Sequence, residues 1–128
     1  MNLLFDTHAF IWWDAAPEKL SLLAAEALGS TGNMLFLSVA SLWKIQIKAQ
    51  LGKIELATPL HEIVAAQENI NGVSVIPVQP PDIYALDRLP HYHKDPFDRL
   101  LASQAIVGNY HLISHDSAFR QYPVSLIW

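Results

Sequence analysis

Short apolar runs alternate with stretches of helical periodicity along this chain, and that alternation constrains the fold more than any other feature. The runs Asn2–Phe5, Met34–Leu37, Val73–Val78, His111–Ser114 and Val124–Trp128 have the length and content of buried strands. Between them, Leu20, Leu23, Ala24 and Leu28 recur at helical spacing, as do Leu60, Ile63, Val64 and Ile70. Ser38 is placed to cap a helix that runs to Leu51-Gly52, and Thr58-Pro59 to open the next one. Asp82–Leu89 forms a short helix, Asp95 opens a longer one that stops at Gly108-Asn109, and Asp116–Gln121 makes a helical turn. Strands separated by helices predict an α/β domain with a mainly parallel sheet. A length of 128 residues suits one domain spanning the chain.

Composition narrows the functional classes. Eight Lys and Arg stand against twelve Asp and Glu, a formal charge of −4. A chain of that balance does not hold nucleic acid by bulk charge, so any such contact needs a local patch or a bound metal. The absence of cysteine excludes disulfides, thiolate zinc sites and cysteine nucleophiles. No apolar run approaches the ~20 residues of a membrane span. The opening Met-Asn-Leu-Leu-Phe-Asp has no basic stretch, so a secretory leader is not expected and a cytoplasmic location fits best.

In open parallel sheets, ligands bind beyond the carboxyl ends of the strands. Asp6 follows the first strand directly, Asp116 follows Ser114 by two positions, and Asp95 and Asp98 open the helix after the long loop. A parallel sheet projects Asp6 and Asp116 from one edge, where the Asp95/Asp98 helix start adds a third carboxylate. Converging carboxylates make a hard oxygen site suited to Mg²⁺ or Mn²⁺. Each acid taken alone is also a good helix N-cap, and Asp95-Pro96-Phe97-Asp98 is well built as one. Spacing alone therefore leaves both capping and metal binding open.

The segments LLFDTHAFIWW, SVASLWKIQIKAQLGKIEL, HKDPFDRLLASQAI and LISHDSAFRQYPV, in that order, resemble the PIN-domain toxins of the VapC type from Leu3 to Trp128. The resemblance implies a three-layer α/β sandwich and a Mg²⁺- or Mn²⁺-dependent endoribonuclease acting on tRNA or rRNA. It also implies a small VapB-like antitoxin as partner, and a homodimer. The family's acids fall on Asp6, Asp98 and Asp116 as catalytic, metal-binding positions, with Asp95 supporting them as part of the D-P-F-D variant. Thr7 and Ser38 are small hydroxyls near the same edge, candidates for orienting a metal-bound water or a carboxylate, and equally plausible caps.

One position departs from the resemblance. Where the family reads S-x-W-E, Lys44 follows Trp43. An ammonium ~5 Å from Mg²⁺ is repelled by roughly 6–7 kcal/mol at an effective dielectric of ~20. Three outcomes follow from this charge exchange. Lys44 points away into a solvated stripe with Lys48, it weakens metal binding, or its ammonium takes the metal position and neutralises Asp6 and Asp98. The last two support an alternative reading, a PIN-fold binding module with weakened or absent catalysis.

An intact site would hydrolyse phosphodiester bonds with metal assistance. Candidate phosphate contacts are Lys48, Lys94 and Arg99, with His91 and His93 beside them. The two imidazoles share one side of an extended segment, where a metal pair is conceivable, but two histidines without a third ligand favour ordinary loop residues. A phosphoaspartyl phosphatase built on Asp6 ranks low, because His8 stands where its second acid belongs, and a receiver domain lacks its paired acids. Trp43 is expected in the core. Trp12 and Trp13 diverge by about 100° on a helix, so one of them is expected at the surface, marking a dimer or antitoxin groove.

Overall fold

A computed structural model describes residues 1–128. The chain forms β1 (Asn2–Phe5), α1 (Thr7–Ala15), α2 (Leu22–Gly29), β2 (Met34–Ser38), α3 (Val39–Gln50), α4 (Leu60–Asn71) and β3 (Ser74–Ile76). There follow α5 (Pro80–Tyr84), α6 (Pro96–Val107), β4 (His111–Ile113) and β5 (Ser125–Ile127), with short 3₁₀ turns at Pro17–Lys19, Ala85–Arg88 and Ser117–Gln121. The five strands form one sheet in the order β3-β2-β1-β4-β5, and every pairing is parallel.

Alternation along the strands divides the core into two layers. Leu3 and Phe5 point to one face, where Leu37, Ile45, Val64 and Phe10 from β2 and the helices α1, α3 and α4 meet them. Leu4 and Leu112 point to the other, against Leu101, Ala102 and Ala105 of α6 and against Phe119 and Tyr122. The period of two makes this unavoidable in a strand covered on both sides. The result is the expected three-layer sandwich.

Local chemistry sets the helix ends. Ser21, Ser38 and Asp95 cap α2, α3 and α6 through their side chains. Gly72 closes α4 in the left-handed conformation at φ 67°, which a residue with a Cβ resists. The helical spacing of Leu20, Leu23, Ala24 and Leu28 is split between the end of the 3₁₀ turn at Pro17–Lys19 and α2, because Ser21 restarts the capping. Pro59 rather than Thr58 takes the N-cap position of α4, one residue from expectation. No helix is long and apolar enough to cross a membrane.

Trp43 is not in the core. It is 64% exposed, with its ring edge-to-face against Phe97 at 5.3 Å. Ile45 is the buried anchor of α3, and a residue two positions earlier lies about 200° round the helix, on the opposite face. Trp13 packs on Phe5 at 5.0 Å, whereas Trp12 lies half-buried at the surface between His115 and Trp128.

The strand order reverses at β1. The chain runs outward from β1 through β2 to β3, then returns to the other side of β1 with β4 and β5. The carboxyl ends of β1 and β4 therefore flank the switch point, where such sheets open a crevice. Leu112 is fully buried on β4, and Leu112→Ala should cost about 2–5 kcal/mol in urea unfolding. Leu22→Ala, at a position 77% exposed, should change stability by less than ~0.5 kcal/mol.

Candidate active site

Asp6 and Asp116 do project from one edge. Phe5 pairs with Ile113, and the Asp6 backbone N–H donates to the Ile113 carbonyl at 3.0 Å, so the next residues on each strand emerge side by side. Asp6 is buried, and it begins α1 as N-cap, one carboxylate oxygen accepting the Ala9 N–H at 2.7 Å. The Ser114 hydroxyl donates to its other oxygen. Ser114 Oγ also accepts the Asp116 N–H at 3.0 Å, so one hydroxyl ties the first acid to the backbone of the last. Asp116 in turn caps the 3₁₀ turn through the Ala118 N–H at 3.0 Å.

The start of α6 supplies the other two acids. Asp95 caps the helix through the N–H groups of Phe97 at 2.7 Å and Asp98 at 3.4 Å. Capping and site placement turn out to be compatible roles, because a carboxylate has about four acceptor positions.

Lys44 points into this cluster, not into solvent. Its side chain is 11% exposed, and Nζ lies 3.0 Å from Asp95 Oδ2 and 3.4 Å from Asp98 Oδ1. Burial works to lower its pKa, but the hydrogen bond to Asp95 and the charges of Asp98 and Asp95 outweigh that and hold it raised. Asp95 is likewise pushed up by burial and brought below the usual carboxylate range by Lys44 and by the Phe97 N–H. Asp98 goes the other way. Burial raises its pKa and the charge of Asp95 adds to this, more than Lys44 takes away. The ammonium thus satisfies Asp95, at the closer contact, and leaves Asp98 only partly compensated.

His93 is a site residue that sequence reasoning placed among ordinary loop histidines. Its neighbours His91, Tyr92 and Lys94 are exposed, yet His93 is buried, with Nε2 2.8 Å from Asp116 Oδ2 and Nδ1 3.0 Å from the Tyr122 hydroxyl. Burial raises the Asp116 pKa, but the His93 contact and the Ala118 N–H overcome it and leave it lowered. Donor atoms of His93, Asp98 and Asp116 all lie within 4.8 Å of one another. Two carboxylates and an imidazole at that spacing fit a divalent cation. Asp6 lies outside that set but senses Asp98, whose charge adds to burial in raising the Asp6 pKa against the Ser114 and Ala9 hydrogen bonds.

The remaining expected positions divide by surroundings. Thr7 is buried in the first turn of α1, and Ser38 caps α3 while donating to Gln104 Oε1 at 2.5 Å. Lys48 is half-buried and Lys94 exposed. Arg99 donates to the carbonyls of Pro90 at 2.9 Å, Leu86 at 3.3 Å and Leu89 at 3.4 Å, so its guanidinium anchors the loop that carries His93 and Asp95.

A family model described as PIN domain matches residues 3–124. Ribonuclease VapC22 of Mycobacterium tuberculosis (strain ATCC 25618 / H37Rv) is 28% identical over 122 residues, 94% of this chain and 92% of that protein. The VapBC2 structure from Rickettsia felis, bound to a DNA fragment from its promoter, superposes with a TM-score of 0.68 at 16% identity, over 98% of this chain and 97% of that one. The DNA-bound VapBC structure from Salmonella typhimurium gives 0.69 at 15% identity, over 98% and 96%. At these identities the superpositions speak to the fold.

The raised pKa of Asp6 means that holding it ionised in the folded protein costs stability. Asp6→Asn keeps the oxygen that accepts from Ala9 and removes the buried charge. It should raise the melting midpoint at pH 7 by ~2–5 °C. The gain should fade as pH falls through the raised Asp6 pKa, where the wild-type carboxyl takes a proton, as melts followed by circular dichroism across that range would record.

Proposed function

The chain belongs to the PIN domain family, and from that premise we propose that it is a metal-dependent endoribonuclease, the toxin of a VapBC-type toxin–antitoxin pair. The observation that carries this reading is the meeting of Asp98 and Asp116 beside Asp6 at the switch point of the sheet. Two of these acids, Asp6 and Asp98, have pKa values raised chiefly by burial and further by a neighbouring carboxylate, and a divalent cation would offset both. The relationship to Ribonuclease VapC22 supports RNA as the substrate, with tRNA or rRNA the expected targets.

Asp98 and Asp116 would hold Mg²⁺ or Mn²⁺, with Asp6 beside them. When bound, such an ion supplies Lewis acidity toward the phosphate and lowers the pKa of its water. The chain's own contribution is placement. Ser114 and the Ala9 N–H fix both oxygens of Asp6, and His93 and Ala118 fix those of Asp116. Lys44 cancels the charge of Asp95 so that the edge tolerates an approaching phosphodiester. Lys48 and Lys94 remain the basic residues for phosphate contacts, and Arg99 serves the loop.

A groove of about 1150 Å³ lined by Leu42, Leu56, Leu60 and Val64 supports a VapB-like partner whose apolar residues enter it. Exposed Trp43, packed on half-buried Phe97, supports contact with a second copy of the chain.

Lys44 supports a second reading. Its ammonium already touches two of the acids, so metal affinity is reduced and the protein is a binding module with little or no cleavage. RNA cleavage titrated with Mg²⁺ and Mn²⁺ separates the two. On the enzyme reading the wild type cuts, Asp98→Asn loses at least ~100-fold in rate, and Lys44→Glu binds Mn²⁺ at least ~10-fold more tightly. Cleavage that appears only in Lys44→Glu would establish the binding-module reading instead.

A further inference from the structure

Resting on the metal-dependent reading above, we propose that His93 supplies a nitrogen donor to the divalent ion, so that the site prefers Mn²⁺, Co²⁺ or Zn²⁺ to Mg²⁺. Burying an imidazole is costly unless both ring nitrogens find partners. His93 finds them in Tyr122 and Asp116, and its ring lies parallel to Tyr122 (9° between planes, centroids 5.6 Å apart) with Phe119 at 4.5 Å. Two aromatic contacts and two hydrogen bonds leave the ring one orientation, with Nε2 aimed at the carboxylate edge.

Donor atoms about a Mg²⁺- or Mn²⁺-sized ion, bound at ~2.1 Å, stand roughly 3–4 Å apart. Those of His93, Asp98 and Asp116 fall within 4.8 Å of one another, close enough that small side-chain rotations complete the set.

On the far side of the ring, Nδ1 meets the Tyr122 hydroxyl. The Tyr122 hydroxyl both donates and accepts. It can donate to Nδ1 while Nε2–H faces Asp116. It can equally accept from Nδ1–H while the Nε2 lone pair faces a cation. Metal-bound histidines adopt the second arrangement, with the outer N–H bonded to an oxygen. An acceptor-only partner such as a backbone carbonyl would serve the second state alone, and the hydroxyl serves both.

The donor set then determines the ion. Mg²⁺ favours oxygen ligands and retains its waters, whereas first-row transition ions accept a nitrogen donor, least strongly Mn²⁺ and more strongly Co²⁺ and Zn²⁺. A neutral nitrogen also adds coordination without adding charge, at an edge where Asp95 is already paired with Lys44.

The experiment uses the full chain loaded with Mn²⁺. Pulsed EPR reads ¹⁴N coupling to the ion, and calorimetry reads Mn²⁺ and Mg²⁺ affinity, in the wild type, His93→Gln and Tyr122→Phe. The proposal expects directly bound ¹⁴N in the wild type and in Tyr122→Phe. It expects loss of that coupling in His93→Gln, with Mn²⁺ affinity down at least ~10-fold and Mg²⁺ affinity within ~3-fold. Mn²⁺ bound without ¹⁴N coupling in the wild type would overturn it and leave His93 as a positioning residue for Asp116, with the metal reading intact. Coupling that persists in His93→Gln would overturn it too, assigning the nitrogen elsewhere. Failure of the wild type to bind Mn²⁺ at all overturns both this proposal and the metal-dependent reading. Should His93→Gln not fold, loss of the coupling in His93→Asn is the readout, and a wild type that binds Mn²⁺ without ¹⁴N coupling still overturns the proposal.

Discussion

Crowding of like charge at one sheet edge is the constraint around which the rest of this molecule is arranged. Asp6, the Asp95–Asp98 helix start and Asp116 come from three distant stretches of chain, and Asp6 and Asp98 are held with raised pKa values by burial and by a neighbouring carboxylate. Such an edge is stable only because other groups share the load. The Ala9 and Ser114 groups serve Asp6, Lys44 serves Asp95 and in part Asp98, and His93 and Ala118 serve Asp116. The buried layers beneath supply the rigidity that keeps these groups from relaxing apart, since a close-packed core transmits strain and does not absorb it.

Capping and chemistry draw on the same carboxylates here. Asp6, Asp95 and Asp116 each close a helix or turn with one oxygen. A cap fixes χ1 and places the anion at the positive end of the backbone dipoles, which is also the preorganisation a metal site needs. Geometry shows the structural role directly, since all three are caps, and it leaves each a second oxygen at the shared edge.

The strands were legible because their apolar runs are short and bounded, and the acids because each follows such a run. All five runs became strands, and Asp6 and Asp116 emerged side by side as a parallel sheet requires. What could not be read depended on contacts between distant residues. His93 looks like His91 in sequence, and only Tyr122 and Asp116, far along the chain, distinguish it. Ser114 ends an apolar run like many serines, and its importance follows from the register that sets it beside Asp6. Trp43 was misplaced because aromatic size suggested burial, whereas its angle from Ile45 on α3 turns it outward. The direction of Lys44 was undecidable until α6 came to lie against α3 and offered it two carboxylates.

The hydroxyl that joins Asp6 to the Asp116 backbone spans 108 residues of chain. A polypeptide leaving the ribosome exposes Asp6 first and gains Ser114 and Asp116 only when β4 has followed. Until then β1 lacks one of its two neighbours in the sheet, and the acidic edge has no second wall. The acidic edge therefore assembles only once residues separated by 108 positions have met, and non-local pairings of that kind are slow to form.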